Sequence, residues 1–250
     1  MQGLLQNILG LFSFIWKLFF LLNFALSLIV LYPFFFILLV IFKAPKPAFY
    51  LTKFWAYWLF IIPGVIYSID SKVKKEFLKK PCVYCANHTS FLDIIYVYIA
   101  IPNFFVSMPK QELEKVPLFN LLIRKLNIPV DRKSKVDSYR AFHQANEYLK
   151  KGVNVFLFPE GTISKNAPKM REFKNGAFKL AIENQVPVIP ITFVDNWKLL
   201  QNGKPLKSNG RPGISRAIIH PAIETKGMDI SEAEKLKERV QKVIESGFKN

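Results

Sequence analysis

A run of 25 residues without a charged side chain, Leu18 to Phe42, constrains the fold of this chain more than any other feature. The charged side chains of residues 1–69 are few: Lys17, Lys43, Lys46 and Lys53. As a helix rising ~1.5 Å per residue, the run would reach about 37 Å, more than the roughly 30 Å hydrocarbon core of a bilayer. It is longer than the apolar core of a secretory signal, and no small-residue cleavage pattern follows it. We therefore expect a membrane segment.

Two prolines argue against a simple membrane span. Pro33 lies inside the run, and a second apolar stretch, Phe54 to Tyr67, is too short to cross and contains Pro63. This stretch is rich in the aromatic residues that favour membrane interfaces: Phe54, Trp55, Tyr57, Trp58 and Phe60. The pattern predicts a helical hairpin over residues 1–69 that dips into one leaflet, with a true span as the alternative, and a separate domain over residues 70–250.

The chain carries a formal net charge of +17. The segment Ser71 to Lys80 alone contains five lysines and one glutamate. At an anionic lipid surface each such cation contributes about 1 kcal/mol of binding. Nucleic acid is the competing partner for a basic chain, but the apolar start and the lack of a recognition motif argue against it. By the positive-inside rule, the basic domain should lie on the cytoplasmic side of the membrane.

Beyond residue 70, short β-rich runs alternate with longer helical ones. This alternation is typical of an α/β domain with a mostly parallel central sheet flanked by helices. The predicted strands are 82–86, 104–107, 128–130, 153–158, 188–194 and 215–219. The predicted helices are 91–101, 110–126, 135–151, 172–184 and 231–247.

Cys82 and Cys85 form a C-x-x-C pattern that His88 extends at the same spacing, which is one signature of a metal or redox site. The surrounding residues indicate a short buried strand instead. In a strand, residues three apart face opposite sides, so the two sulfur atoms can neither share an ion nor bond to each other. We predict structural thiols, no metal, and a reducing compartment.

His88 and Asp93 are the first candidates for chemistry. In one continuous helix they would lie ~140° apart and would not meet. They can meet if His88 lies in a loop after the first predicted strand and Asp93 lies in the first turn of the next helix. Asp93 can then accept the Nδ1 proton of His88 and leave Nε2 as a general base. The alternative is that Ser90 and Asp93 only cap the helix.

The second candidate is the break after a buried strand at Phe158-Pro159-Glu160-Gly161-Thr162. Sheets of this class bind ligands at the carboxyl ends of their strands, and a glycine lets the backbone approach a ligand closely. Glu160 is therefore a candidate ligand contact. The alternative is a surface turn residue.

Asn87 to Asp93 and Phe158 to Thr162, in this order, resemble blocks I and III of the membrane-bound glycerolipid acyltransferases, the family that includes 1-acylglycerol-3-phosphate acyltransferase. The resemblance covers residues 80–195 and makes residues 70–250 an acyltransferase domain. It implies that His88 and Asp93 form the catalytic HX4D dyad. It also implies that Glu160, Gly161 and Thr162 bind the acyl acceptor. Lys110 and Arg132 partly match a further block whose cations contact the acceptor phosphate.

This resemblance also implies a reaction and its partners. The enzyme would move a fatty acyl group from acyl carrier protein or coenzyme A to the 2-hydroxyl of 1-acyl-sn-glycerol 3-phosphate (lysophosphatidic acid), giving phosphatidic acid. The acyl thioester is a co-substrate, and no other cofactor is predicted. Bacterial members have a two-helix membrane anchor, so the resemblance places the chain at the inner (cytoplasmic) membrane, with its catalytic domain on the cytoplasmic side.

One position departs from the family pattern. Ile163 follows Thr162 where the family has an arginine assigned to the acceptor phosphate. Other cations can supply that charge, among them Lys165, Lys169, Arg171 and Lys174. The departure keeps a second acceptor class open, a lyso-aminolipid or another lysophospholipid. A non-catalytic basic membrane-binding protein is the remaining alternative.

Overall fold

A computed structural model describes residues 2–203 and 208–249 of the chain. The apolar N-terminus forms a long helix, α1 (Gln2–Phe36), which continues as a π-helical segment, Ile37–Ile41. Pro33 lies inside α1, and the helix continues past it. The chain reverses at Lys43, which has a left-handed φ of 49°, and α2 (Pro45–Ile61) begins on a proline whose fixed φ suits a first helical turn.

The two helices pack against each other. Trp55 Nε1 donates to Ser27 Oγ at 2.8 Å, and Trp58 Nε1 donates to Asn23 Oδ1 at 3.0 Å. One described helical stretch, Ile8–Ile41, is long and apolar enough to cross a membrane, with a mean hydropathy of 2.8 over its most apolar window. At ~1.5 Å per residue, the 17 residues of α2 reach only about 25 Å. Two packed helices are thus present, and their insertion into a membrane remains a prediction.

Six strands form a single sheet in the described residues, in the order β1-β6-β5-β2-β4-β3. The strands are β1 (Val65–Ser71), β2 (Val83–Ala86), β3 (Phe105–Ser107), β4 (Asn154–Leu157), β5 (Val188–Phe193) and β6 (Gly213–Ile219). The helices that follow α2 are α3 (Leu92–Ala100), α4 (Phe119–Leu126), α5 (Lys135–Lys150), α6 (Gly176–Glu183), α7 (Asn196–Leu199) and α8 (Ala233–Ser246).

The sheet is mostly parallel, as predicted, but it is mixed and not strictly parallel. Strands β5, β2, β4 and β3 run parallel to one another, whereas β6 pairs with β5 in the antiparallel sense. Between β5 and β6 the chain forms only the single turn of α7 and a loop, and no long helix crosses a face of the sheet as is usual between parallel strands. Strand β1 then adds to β6 in parallel at the edge. Flanking helices are confirmed, except that the predicted helix 110–126 is divided into a 3-10 segment, Gln111–Lys115, and α4.

Two strand predictions were wrong. Strand β1 was missed because its residues continue the apolar stretch that follows α2, and the predicted domain boundary at 69/70 falls inside it. The predicted strand 128–130 is instead extended backbone with one isolated bridge, between Lys110 and Val130. The division into residues 1–69 and 70–250 remains a prediction.

Alternate residues of β2 face two different cores. Tyr84 and Ala86 pack on the side of α2 and α3, whereas Val83 and Cys85 pack on the side of α5, α6 and α8. Cys82 lies with the first group, so the two sulfur atoms are on opposite faces, as the strand pattern predicts. Burial raises the pKa of the Cys82 thiol to about 12 and raises that of Cys85 as well. Both thiols are therefore unreactive.

The second core should be sensitive to cavities. Ile244 of α8 is fully buried there, whereas Ile230 precedes α8 and is 41% exposed. We expect Ile244→Ala to lower the free energy of unfolding by about 2–5 kcal/mol. The matched variant Ile230→Ala should change it by less than about 0.5 kcal/mol. Urea unfolding in detergent, followed by near-UV circular dichroism, measures both values; equal losses would contradict this packing.

Candidate active site

Three adjacent parallel strands, β5, β2 and β4, end at the same edge of the sheet. The segment after β2 carries His88, the segment after β4 carries Glu160, and the segment after β5 carries Asn196. All three side chains are buried. The carboxyl edge of a sheet of this type is where ligands bind, so the fold itself brings these segments together at a candidate site.

The carboxylate of Asp93 is the centre of this site. Its Oδ2 lies 3.1 Å from His88 Nδ1. The same oxygen accepts hydrogen bonds from the backbone N–H groups of Thr89 at 2.6 Å and Ser90 at 2.8 Å. Its Oδ1 accepts Asn196 Nδ2 at 2.7 Å. The side chain is fully buried, so these donors replace the water that a charged carboxylate needs.

Asp93 makes the contacts that both sequence interpretations require, in one arrangement. The carboxylate satisfies backbone donors before α3, as the capping alternative predicts, and it also contacts the imidazole, as the dyad predicts. A carboxylate beside Nδ1 favours the tautomer with its proton on Nδ1, in which Nε2 has the free lone pair.

Asn196 is a site residue that the motif analysis missed. It is fully buried, its Nδ2 donates to Asp93, and its Oδ1 accepts the hydroxyl of Ser215 on β6. A similar amide contact joins the strands before the site, where Asn87 exchanges two hydrogen bonds with the backbone of Phe193 at 3.0 and 2.7 Å. The available sequence signal for Asn196 was its position three residues after β5, a strand whose residues are all buried.

Two side chains fix the imidazole of His88: Asp93 contacts its edge, and an aromatic ring stacks on its face. Phe158 stacks on it, with ring centroids 3.9 Å apart and planes at 12°. The backbone carbonyl of His88 accepts Ser164 N–H at 2.8 Å. His88 is 7% exposed, so this narrow opening and the fixed ring plane restrict how a substrate hydroxyl can approach.

Glu160 joins two loops. One carboxylate oxygen accepts the backbone N–H of His88 at 2.6 Å, and the other accepts that of Arg171 at 2.8 Å. Burial raises the pKa of Glu160 to about 7, and the nearby Asp93 carboxylate adds to the rise, although the two backbone donors favour the charged form. The structure thus places Glu160 beside the dyad, in contact with the backbone that carries His88.

Of the other predicted binding residues, Arg132 and Gly161 contact each other, whereas Lys110 pairs with a different residue. The Arg132 guanidinium donates to the carbonyl oxygens of Gly161 and, at 3.0 Å, Met108, so it lies beside the Glu160 loop. Lys110 is about half exposed and pairs with Glu112 at 2.8 Å. Gly161 has a left-handed φ of 72°, which favours glycine, and a Cβ there would lie 3.4 Å from Lys174 Nζ. Arg132 and Lys174 thus both flank Gly161.

Comparison with known proteins places this geometry in context. Residues 65–194 match a family model described as Acyltransferase, and this stretch contains His88, Asp93, Glu160 and Arg132. Asn196 lies two residues beyond its end.

The chain is 33% identical over 178 residues to a chloroplastic 1-acyl-sn-glycerol-3-phosphate acyltransferase of Brassica napus, which covers 70% of this chain and 49% of that protein. It is 32% identical over 185 residues to the Arabidopsis thaliana enzyme of the same name, covering 72% and 50%. The chain thus spans about half the length of these plant relatives. The crystal structure of a 1-acyl-sn-glycerophosphate acyltransferase from Thermotoga maritima superposes with a TM-score of 0.70, 25% identity, and coverage of 98% of this chain and 95% of that one.

Titration of Glu160 should appear in the stability of the protein. Its pKa is about 7 in the folded chain and near 4.5 when unfolded, so the folded state binds the extra proton between these values. The free energy of unfolding, relative to the Glu160→Gln variant, should fall as the pH rises from about 4.5 to about 7, and should be level above that range. Urea unfolding of both proteins across this range measures it. A relative stability that rises with pH would show that the two backbone donors outweigh burial.

Proposed function

The chain belongs to the Acyltransferase family, and we propose that it transfers a fatty acyl group from acyl carrier protein or coenzyme A to the 2-hydroxyl of 1-acyl-sn-glycerol 3-phosphate, giving phosphatidic acid. The observation that carries the proposal is the contact of 3.1 Å between His88 Nδ1 and the buried Asp93 carboxylate. It supports a general base at the sheet edge where ligands bind.

His88 acts in both halves of the transfer. Its Nε2 takes the proton of the acceptor hydroxyl while the hydroxyl oxygen attacks the thioester carbonyl carbon. The tetrahedral intermediate collapses, the carbon–sulfur bond breaks, and the thiolate leaves with the proton returned from the imidazolium. Asp93 stabilises the imidazolium and fixes its orientation. No acyl-enzyme is needed, and backbone N–H groups nearby stabilise the oxyanion.

Two cations support a phosphate-bearing acceptor. Arg132 and Lys174 flank Gly161, whereas the family's arginine position is the apolar Ile163. An arginine fork suits a phosphate, and Lys174 supplies a second charge beside Gly161. In this arrangement Gly161 and Thr162 line the acceptor site. The burial and backbone contacts of Glu160 support a role in positioning His88. This role is additional to the predicted contact of Glu160 with the acceptor.

The location of the reaction follows from the rest of the chain. The apolar α1 and α2 associate with the inner (cytoplasmic) membrane, and the basic domain faces the cytoplasm. The positive charge suits an acidic carrier or coenzyme as well as an anionic lipid surface. Because the proposed acceptor is a lipid that resides in the bilayer, anchoring the catalytic domain to the bilayer brings the enzyme to its substrate.

Replacing the proposed base should remove the activity and leave the fold intact. We expect His88→Ala to lower kcat by roughly 10²- to 10⁴-fold, because general-base assistance contributes about that much. The matched control is His143→Ala, which changes an exposed histidine on α5. Initial rates with acyl carrier protein and coenzyme A thioesters, in a preparation free of host acyltransferase, measure the effect. Full activity of the folded His88→Ala protein would refute the base.

The phosphate contact should appear in the choice of acceptor. Arg132→Lys keeps the charge and removes the fork, so we expect kcat/KM for lysophosphatidic acid to fall about 10- to 100-fold, the value of a hydrogen bond to a charged group. Arg124→Lys, at a side chain 63% exposed, is the matched control. Rates for lysolipids without a phosphomonoester should hardly change.

Wild-type selectivity decides between the two acceptor classes. Ile163 is the observation that favours the second candidate, a lyso-aminolipid or a lysophospholipid. Wild-type protein that shows no preference for the phosphomonoester acceptor in mixed vesicles would replace the first assignment with this one.

A further inference from the structure

Large apolar side chains are exposed where the sheet meets α2. Ile61 and Ile62 at the end of α2 are 61% and 43% exposed. Ile66 of β1 and Ile214 of β6 are 65% and 57% exposed, and they are register partners, so they lie side by side on one face. We call these four isoleucines the edge patch. Strand β1 is the edge strand of the sheet, and an exposed apolar edge is a liability that proteins normally cover.

Helix α1 lies close to the segment that joins the two parts of the edge patch. Trp16 of α1 donates to the carbonyl of Pro63 at 2.9 Å, and Pro63 directly follows Ile62. Gly213 N–H, one residue before Ile214, donates to the carbonyl of Gly64 at 3.1 Å. Phe12 and Ile15, within one turn of Trp16, are more than half exposed. The edge patch therefore adds exposed apolar surface beside α1 at this level.

Polarity changes along the two strands in the direction away from the patch. Ser68 and Arg216 are the next residues on the same face, paired with each other, about 7 Å beyond Ile66 and Ile214 at ~3.3 Å per residue. Arg216 and Lys198 share the carboxylate of Asp195, at 2.6 and 3.2 Å, so two cations and one anion leave a net positive charge. Apolar side chains followed within one headgroup depth by cations match the profile of an anionic bilayer surface.

We propose that the edge patch inserts into the surface of an anionic lipid bilayer, so that the sheet itself, and not only α1 and α2, contacts the membrane. This inference rests on the proposed membrane association of the helices and extends it to the catalytic domain. Insertion is shallow, because the unpaired backbone groups of β1 need the hydrated headgroup region and cannot enter hydrocarbon. The contact fixes the rotation of the domain about α1 and thereby the direction in which the sheet edge carrying His88 faces the lipid.

Site-directed fluorescence tests the contact in the full chain. Ile66→Cys and Ile214→Cys each receive an environment-sensitive label, which the buried Cys82 and Cys85 do not take up. Val136→Cys on α5, 81% exposed and outside the patch, is the matched control, and Ile29→Cys on the exposed face of α1 is the membrane reference. The proteins are reconstituted in phosphatidylcholine vesicles containing phosphatidylglycerol, with spin-labelled lipids that quench at either a shallow or a deep position.

We expect the labels at positions 66 and 214 to show blue-shifted emission that is quenched more by shallow than by deep spin labels. The label at position 136 should not be quenched. Quenching at 29 with none at 66 and 214 would overturn the inference and leave the helical anchor standing. No quenching at 29 would overturn the anchor and the inference together. Shielding of 66 and 214 that grows with protein concentration, without lipid quenching, would show that a second copy covers the edge. Acyl transfer by the same proteins is assayed separately in detergent, so a failed lipid contact is distinguished from a failed reaction.

Discussion

The Asp93 carboxylate is the interaction on which the candidate site depends. A fully buried carboxylate is tolerable because backbone donors from Thr89 and Ser90, the Asn196 amide and the His88 ring all point at it. These donors come from the loop after β2 and the segment after β5, so one charge ties two strand ends together. Removing any one of these donors would leave the Asp93 carboxylate with fewer hydrogen bonds. The carboxylate would then hold His88 in a different orientation.

Glu160 repeats this arrangement on the other side of His88. It binds the backbone of His88 and of Arg171, and it connects the loop after β4 to the loop after β2. The two acidic side chains thus hold the imidazole loop from opposite sides, while Phe158 fixes the ring plane. Beside the Glu160 loop, Arg132 and Lys174 supply positive charge next to Gly161. The proposed base together with these cations suits an acceptor that carries both a hydroxyl and a phosphate.

Residues with a local signature were predictable from the sequence. His88 and Asp93 could be paired because a strand-to-helix turn is a local event, and the opposite facing of Cys82 and Cys85 follows from strand periodicity. Contacts between distant segments were not predictable. Asn196 carries no motif, and its partner Asp93 lies 103 residues earlier, so only the order of β5 and β2 in the sheet brings them together. Strand β1 was hidden for a similar reason, because its partner β6 is far along the chain and its sequence continues an apolar stretch.

The proposed mechanism requires that Asp93 fixes His88 in the form with the proton on Nδ1 and a free lone pair on Nε2. The ¹⁵N spectrum of the imidazole tests this directly in protein labelled at histidine, with His88 assigned by comparison with the His88→Ala protein. In the neutral ring we expect Nδ1 to be protonated and Nε2 unprotonated, and we expect Asp93→Asn to abolish this preference. A neutral ring with its proton on Nε2 in the unaltered protein would refute His88 as the base, because that nitrogen would have no lone pair to accept the substrate proton.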